Sequence, residues 1–304
     1  TMLMNNSTNN QPDVQEEPTA TSQEIPEQNA DVVTVPKKRV WEVDFLRGFM
    51  ILFVVWDHFM WDVGCVGSGV YNTGLFKWLY ELQSAYYSGA LRATTHDAFV
   101  TLFVFTSGVS CSFSRSNGKR ALKMIVFAVL LSAITYAASS IIGQNVTIYF
   151  NVIHVIAFCV LFWAGLEWLS SKCTKDWQKN LFGFSVAAAI VAVLVVGYVA
   201  KNAPWTNENP MWFFLAQHAK TVAGYQKFMG GDYLPLFPDL GWFLVGGFLG
   251  KKLYASKQSL FPSVNEKWVS PVTFCGRYSI WIYLGSQTFM YSFVYLFHNV
   301  LNWL

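Results

Sequence analysis

Long apolar runs alternate with polar or basic connectors along the chain. An α-helix needs about 20 mainly apolar residues to cross a bilayer. Seven segments meet or approach that length, approximately 43–63, 97–114, 121–142, 149–169, 181–200, 235–250 and 272–297. The pattern predicts an all-α integral membrane protein, a bundle of about seven transmembrane helices. The sixth segment is the shortest and opens with Pro235 and Pro238. In 74–82, Leu75, Phe76, Trp78, Leu79 and Leu82 recur at helical spacing. That spacing predicts an amphipathic helix lying on the membrane or capping a cavity. The connector 201–234 is rich in Asn, Pro and Gly but contains "MWFFLAQH"; a lid and a re-entrant piece both fit it.

Composition agrees with this pattern. The 304 residues are 53% hydrophobic and only 13% charged, too apolar for an ordinary soluble domain. Charge then divides the chain. Residues 1–36 hold Asp13, Glu16, Glu17, Glu24, Glu27 and Asp31 and no Lys or Arg. They are expected to form a disordered, acidic cytoplasmic tail with no cleavable signal peptide. Residues 37–304 are expected to be one transmembrane domain. Its basic excess suits cytoplasmic loops and calls for no nucleic-acid partner.

Basic residues also orient the spans. One set of connectors holds Lys37, Lys38, Arg39, Arg115, Lys119, Arg120, Lys123, Lys172, Lys175, Lys179, Lys251, Lys252, Lys257 and Lys267. The opposite set holds Lys77, Arg92, Lys201, Lys220 and Lys227. The positive-inside rule therefore predicts a cytoplasmic N-terminus and an extracytoplasmic C-terminus. The cysteines at 65, 111, 159, 173 and 275 show no CxxC or CxxH spacing, so neither a zinc site nor a disulfide framework is predicted.

The first span, "DFLRGFMILFVVWDHFMWD", carries Asp44, Arg47, Asp57, His58 and Asp62. Charged groups in hydrocarbon are costly, and they usually face the protein interior and serve a function. Arg47 and His58 lie 11 residues apart, about three helical turns and roughly 16 Å, on nearly one face. Asp44 is placed to pair with Arg47, and Asp62 to orient His58 or stabilise its cation. The bland reading is an arginine that snorkels and polar residues that line a wet rim. Further polar groups gather at the predicted outer ends: His96 and Asp97 at the second span, Asn151 and His154 at the fourth, Asp232 and Asp239 at the sixth. Thr94 or Thr95 could cap the second helix, with Asp97 favouring its N-terminus. His154 could be a hydrogen-bonded core histidine. Arg115, Lys119, Arg120 and Arg277 lie on the predicted cytoplasmic side and could meet a polyanion, or could serve orientation alone.

Five stretches in order resemble a known family: "DFLRGFMILFVVWDH", "FVFTSGVSCSFSRSNGKRA", "FNVIHVIAF", "GDYLPLFPDLGWFLVGGFLG" and "GRYSIWIYLGSQ". They are similar to the heparan-alpha-glucosaminide N-acetyltransferase catalytic-domain family in its small bacterial form, within the wider transmembrane acyltransferases. Two positions depart from the family pattern. Ser286 stands where relatives often carry His, and Asp239 where an aromatic is more usual. The resemblance implies an integral protein of the bacterial cytoplasmic membrane. It implies acetyl transfer from cytosolic acetyl-CoA to a hydroxyl or amine of an extracytoplasmic sugar or glycan.

Together with the residue pattern, it assigns catalytic roles to His58, Asp62 and Arg47. The donor site would be Arg47 with Arg115, Arg120 or Arg277, and the acceptor side His96, Asp97, His154 and Asp232. No metal is required. Direct transfer and an acetyl-histidine intermediate both stay open. The competing reading is a transporter or lipid-binding membrane protein that uses the same Arg, His and Asp groups.

Overall fold

The computed structural model describes residues 40–67, 74–142, 147–202 and 233–302. All of these fall in one compact unit that begins at Lys38. Among the described residues the regular structure is entirely helical: α1 (Trp41–Gly67), α2 (Gly74–Ser88), α3 (Ala90–Val109), α4 (Asn117–Ile142), α5 (Val152–Lys172), α6 (Asp176–Asn202), α7 (Asp239–Leu253), α8 (Glu266–Arg277) and α9 (Ser279–Asn302). A 3₁₀ turn, Ser110–Phe113, ends α3.

Three of these, α4, α5 and α6, are long and apolar enough to cross a membrane by length and composition alone. Their burial differs in a telling way. Val155, Val160 and Trp163 of α5 are at most 1% exposed, whereas Phe184 and Tyr198 of α6 are 77% and 71% exposed. So much bare apolar surface would be a liability in water. In a bilayer it is the surface that faces lipid. The chain is an all-α integral membrane protein with α5 near the centre of its main core, packed among Val104, Phe243 and Leu244.

Backbone-close crossings hold the remaining helices. Gly48 of α1 lies against the Val272 carbonyl of α8, and Gly276 of α8 against the Asp44 carbonyl, so that a methyl group at either position would collide. The pair α3 and α7 repeats the device: Gly108 meets Phe243, Gly246 meets Phe105, and Gly250 meets Val109. From the Thr101–Asp239 hydrogen bond through Phe105–Gly246 to Val109–Gly250 the contacts advance in the same direction along both helices, so α3 and α7 run parallel. Small residues at helix contacts are the usual means of close approach where the solvent is lipid. Polar ties reinforce the end where α1 starts. Glu42 accepts from Ser259 Oγ (2.9 Å) and the Leu260 amide (2.7 Å). Glu167 of α5 accepts from Asn117 (2.9 Å) and pairs with Lys251 of α7 (2.9 Å).

Three boundaries differ from the sequence expectation. The predicted span 272–297 is two helices, α8 and α9, broken at Tyr278. α8 ends one residue beyond Gly276, which lies against α1, and α9 begins at Ser279. The predicted second span belongs to α3, which starts at Ala90, seven residues before Asp97, with Gly89 at its N-cap. Thr94 and Thr95 accordingly do not cap it; their hydroxyls donate back to the Ala90 and Leu91 carbonyls. Finally, α7 runs over Asp239–Leu253, a few residues later than the expected 235–250; as expected it is short, about 22 Å of rise against roughly 30 Å of hydrocarbon. The tail 1–36, most of the connector 201–234 and Asp232 lie outside the described residues.

Candidate active site

The residues singled out on α1 fall into three groups. Arg47 lies one residue before the Gly48 crossing, and its Nη2 donates to Ser279 Oγ at 3.0 Å. Ser279 is the first residue of α9 and 1% exposed. The arginine therefore fastens α1 to the break between α8 and α9. Arg277 is exposed at that same break. Arg120 is occupied differently: its guanidinium donates to the Ser107 carbonyl (3.3 Å) and to Cys111 Sγ (3.4 Å), which closes the end of α3. Arg115 is exposed just beyond that turn. Val40 and Val43 of α1 pack with Val109 and Tyr254, so the start of α1 and the end of α3 share one end of the bundle.

Three turns further along α1, His58 packs its ring on Tyr283 of α9 with centroids 5.8 Å apart. Asp62, one turn beyond His58 and only 5% exposed, is within electrostatic range of the imidazole. Its Oδ2 is buried and makes no hydrogen bond among the described residues. A buried carboxyl oxygen without a hydrogen bond is costly, and the His58 imidazole is a titratable group within its electrostatic range.

Tyr283 carries the contact onward. Its hydroxyl accepts from Asn151 Nδ2 at 3.0 Å, and Asn151 is fully buried. Asn151 caps α5, its Oδ1 accepting from the Ile153 amide (3.1 Å), and forms a capping box with His154. His154 is held at both ring nitrogens, Nδ1 2.8 Å from Asn151 Oδ1 and Nε2 3.0 Å from Ser132 Oγ. Ser132 in turn donates to the Ile148 carbonyl at 2.7 Å. The structure thus links His58 and His154 through Tyr283 and Asn151. Sequence reading placed both histidines at one end of the bundle but did not find the link.

The third group faces α2 and α3. Asp57, the neighbour of His58 in sequence, accepts from Arg92 in a two-pronged pair (2.8 and 3.1 Å) and from Tyr86 OH (3.0 Å). Tyr87 OH donates to the Asp57 carbonyl (3.1 Å), and the Arg92 guanidinium lies 4.0 Å from the Tyr87 ring centre. Burial and the adjoining Asp57 carboxylate push the Tyr86 phenol up to about 12, so it remains a proton donor at physiological pH. His96 Nε2 lies 3.8 Å from Asp57 Oδ2, and His96 Nδ1 lies 3.3 Å from Asp97 Oδ1. His96 and Asp97 are therefore joined to α1 through Asp57, not through His58. Asp239, 4% exposed, accepts from Thr101 at 3.1 Å at the start of α7. Successive positions on a helix differ by about 100°, so Asp57 and His58 serve different faces.

Asn151, Tyr283, Arg92 and Ser279 thus join the candidate site although sequence reading gave them no role there. The spacing of Asn151 and His154 carried a capping signal. The other three depend on contacts distant in sequence. No cluster of His, Cys, Asp or Glu suited to a metal occurs among the described residues.

Comparison with known proteins supplies one match. The sequence profile described as "Heparan-alpha-glucosaminide N-acetyltransferase, catalytic" matches residues 39–288. No curated protein and no solved structure matches the chain. The profile spans α1 to α9, including the Arg47, His58 and His154 groups just described, and this chain therefore belongs to the heparan-alpha-glucosaminide N-acetyltransferase catalytic family of transmembrane acetyltransferases.

Proposed function

We propose that the chain transfers an acetyl group from cytosolic acetyl-CoA to a hydroxyl or amine of an extracytoplasmic sugar or glycan, across a bacterial cytoplasmic membrane. The observation that carries this reading is the layout of α1. Arg47 lies at one end of that helix and the His58–Asp62 pair at the other, within a chain of an acetyltransferase family. The rise of about 16 Å between them suits an extended donor, its phosphates held at the Arg47 end and its thioester presented near His58. Arg115 and Arg277, exposed at the same end, extend the anion-binding surface; Arg120 contributes mainly by bracing the turn after α3.

The reaction follows from general base catalysis. His58 takes the proton of the acceptor hydroxyl or amine. The freed lone pair attacks the thioester carbonyl, the C–S bond breaks, and the CoA thiolate leaves and is protonated to the thiol. Asp62 stabilises the imidazolium formed meanwhile. In the acetyl-histidine variant, His58 itself attacks first and the acceptor then displaces it. His154, locked at both nitrogens, acts through Asn151 and Tyr283 to position His58. Asp97 and His96, with Asp232 beyond the described residues, belong to the acceptor side.

This scheme sets α1, α3, α4, α5, α6, α7 and α9 as seven crossings, with α2 and α8 at the surfaces. The N-terminus is then cytoplasmic and the C-terminus outside. The parallel run of α3 with α7 fits that alternation.

Purified protein should bind acetyl-CoA, measured by isothermal titration. Arg47→Ala should weaken binding more than Arg47→Lys, because only guanidinium grips an anion at two points. His58→Ala should retain binding and thermal stability yet lose at least about 100-fold in transfer rate. A stable His58→Ala protein with near wild-type turnover would remove His58 from the mechanism.

A further inference from the structure

A cavity of about 870 Å³ lies between α3, α6 and α7, with Asp97, Thr101, Leu102, Leu194, Tyr198 and Trp242 on its walls. Its volume is that of a small-molecule site. Its polarity is graded along the helix axes. On α3 the order from the N-terminal end is Asp97, Thr101, Leu102, Phe105. At the start of α7, which runs parallel to α3, Pro238 is the N-cap and Trp242 follows about one turn later. Asp97 therefore lies at one end, Thr101 and Leu102 follow about one turn in, and Phe105 and Trp242 lie further from it. Thr101 is itself backed by the buried Asp239.

The cavity also opens sideways. Its α6 wall belongs to a helix composed to cross a membrane, and Tyr198 and Trp242 are 71% and 41% exposed. An apolar slot that opens to lipid, with a polar mouth at one end only, matches an amphiphile rather than a free sugar. Along the axis of α1 the mouth lies level with His58, on the adjoining face that carries Asp57. Asp97 contacts His96, and His96 reaches Asp57, the residue beside His58.

We propose that this groove holds the hydrocarbon chain of a lipid-linked acceptor, whose sugar headgroup lies at the Asp97 end. The proposal deepens the acetyl-transfer reading above and names its substrate class. Transfer from bilayer to groove brings little hydrophobic gain, because lipid tails are as apolar as the walls. Specificity must therefore come from shape and from the polar mouth.

The test uses the full-length protein in phosphatidylcholine nanodiscs and a dodecyl glucosaminide with a diazirine in its chain. Photolabelling should concentrate on peptides that contain 98–105 and 238–242, and excess unlabelled dodecyl glucosaminide should suppress it where dodecanol does not. Leu102→Trp, which fills the slot, should abolish the competed label; Ala98→Trp serves if the first variant does not fold. In turnover assays, the ratio of kcat/KM for dodecyl over chainless glucosaminide should fall by on the order of tenfold in the filled variant. Partition into the membrane is the same for both proteins and cancels. Label spread evenly over all lipid-facing helices, or unaffected by the competitor, would overturn the groove assignment. Competed label in the groove without any acetyl transfer would instead overturn the proposed reaction and leave the binding site standing.

Discussion

At the scale of single residues, the candidate site is a buried polar line that enters the helix bundle from His58. Each link is a side chain with little freedom. Asn151 is fully enclosed and committed to the cap of α5, and Tyr283 is 6% exposed. Tyr283→Phe removes the hydroxyl that accepts from the Asn151 amide, and desolvated donors are costly to leave without an acceptor. The expected loss is about 1–3 kcal/mol of stability, read as a lower thermal midpoint in detergent. If Tyr283 and Asn151 position His58, kcat should also fall while acetyl-CoA affinity holds. An unchanged kcat at a lowered midpoint would make the tyrosine a packing residue only.

At the scale of elements, glycines set the arrangement. The crossing of α1 and α8 has no room for a Cβ at Gly48 or Gly276, and the obstructing atoms are backbone carbonyls, which cannot rotate aside. Gly276→Ala should therefore cost about 1–3 kcal/mol and lower the midpoint by several degrees. Gly285→Ala, where the same probe meets open space, should have little effect. Midpoints of the two variants in one detergent check the contrast, and equal midpoints would contradict the tight crossing.

This crossing also marks the limit of what the sequence made legible. Helices such as α4, α5 and α6 could be read from local apolar length, because one segment carries its own signal. The break at Tyr278 could not, since the apolar run 272–297 continues through it without a local stop signal. The same holds within the site. His58 and Asp62 were legible as an i, i+4 pair, whereas Arg47 with Ser279 and Asn151 with Tyr283 depend on tertiary contact. Asp57 was visible as a charged residue, but its role in gathering α2 and α3 required Arg92, Tyr86 and Tyr87 to be placed around it.

At the scale of the whole molecule, the proposed orientation makes a direct prediction. Lys119, Lys175 and Lys77 are all exposed. In a background without native cysteines, cysteine at 119 or 175 should resist an impermeant thiol reagent in intact cells, and cysteine at 77 should react. Labelling at 119 from outside would invert the orientation and with it the side on which the donor enters. The placement of Asp57 and His58 on different faces of α1 has a last consequence, for insertions. One alanine added after Phe53 turns everything beyond it by about 100° and advances it by about 1.5 Å. The carboxylate then swings toward the station of the imidazole, and the tie to Arg92 is lost. Four added residues restore the azimuth to within about 40° but displace both groups by about 6 Å. Neither insertion alters the composition of the span or its capacity to enter a membrane. Both should nonetheless yield an inserted, inactive protein, with the four-residue version keeping more of its thermal stability. The first helix is thus read by its phase, a property that substitution scans leave untouched.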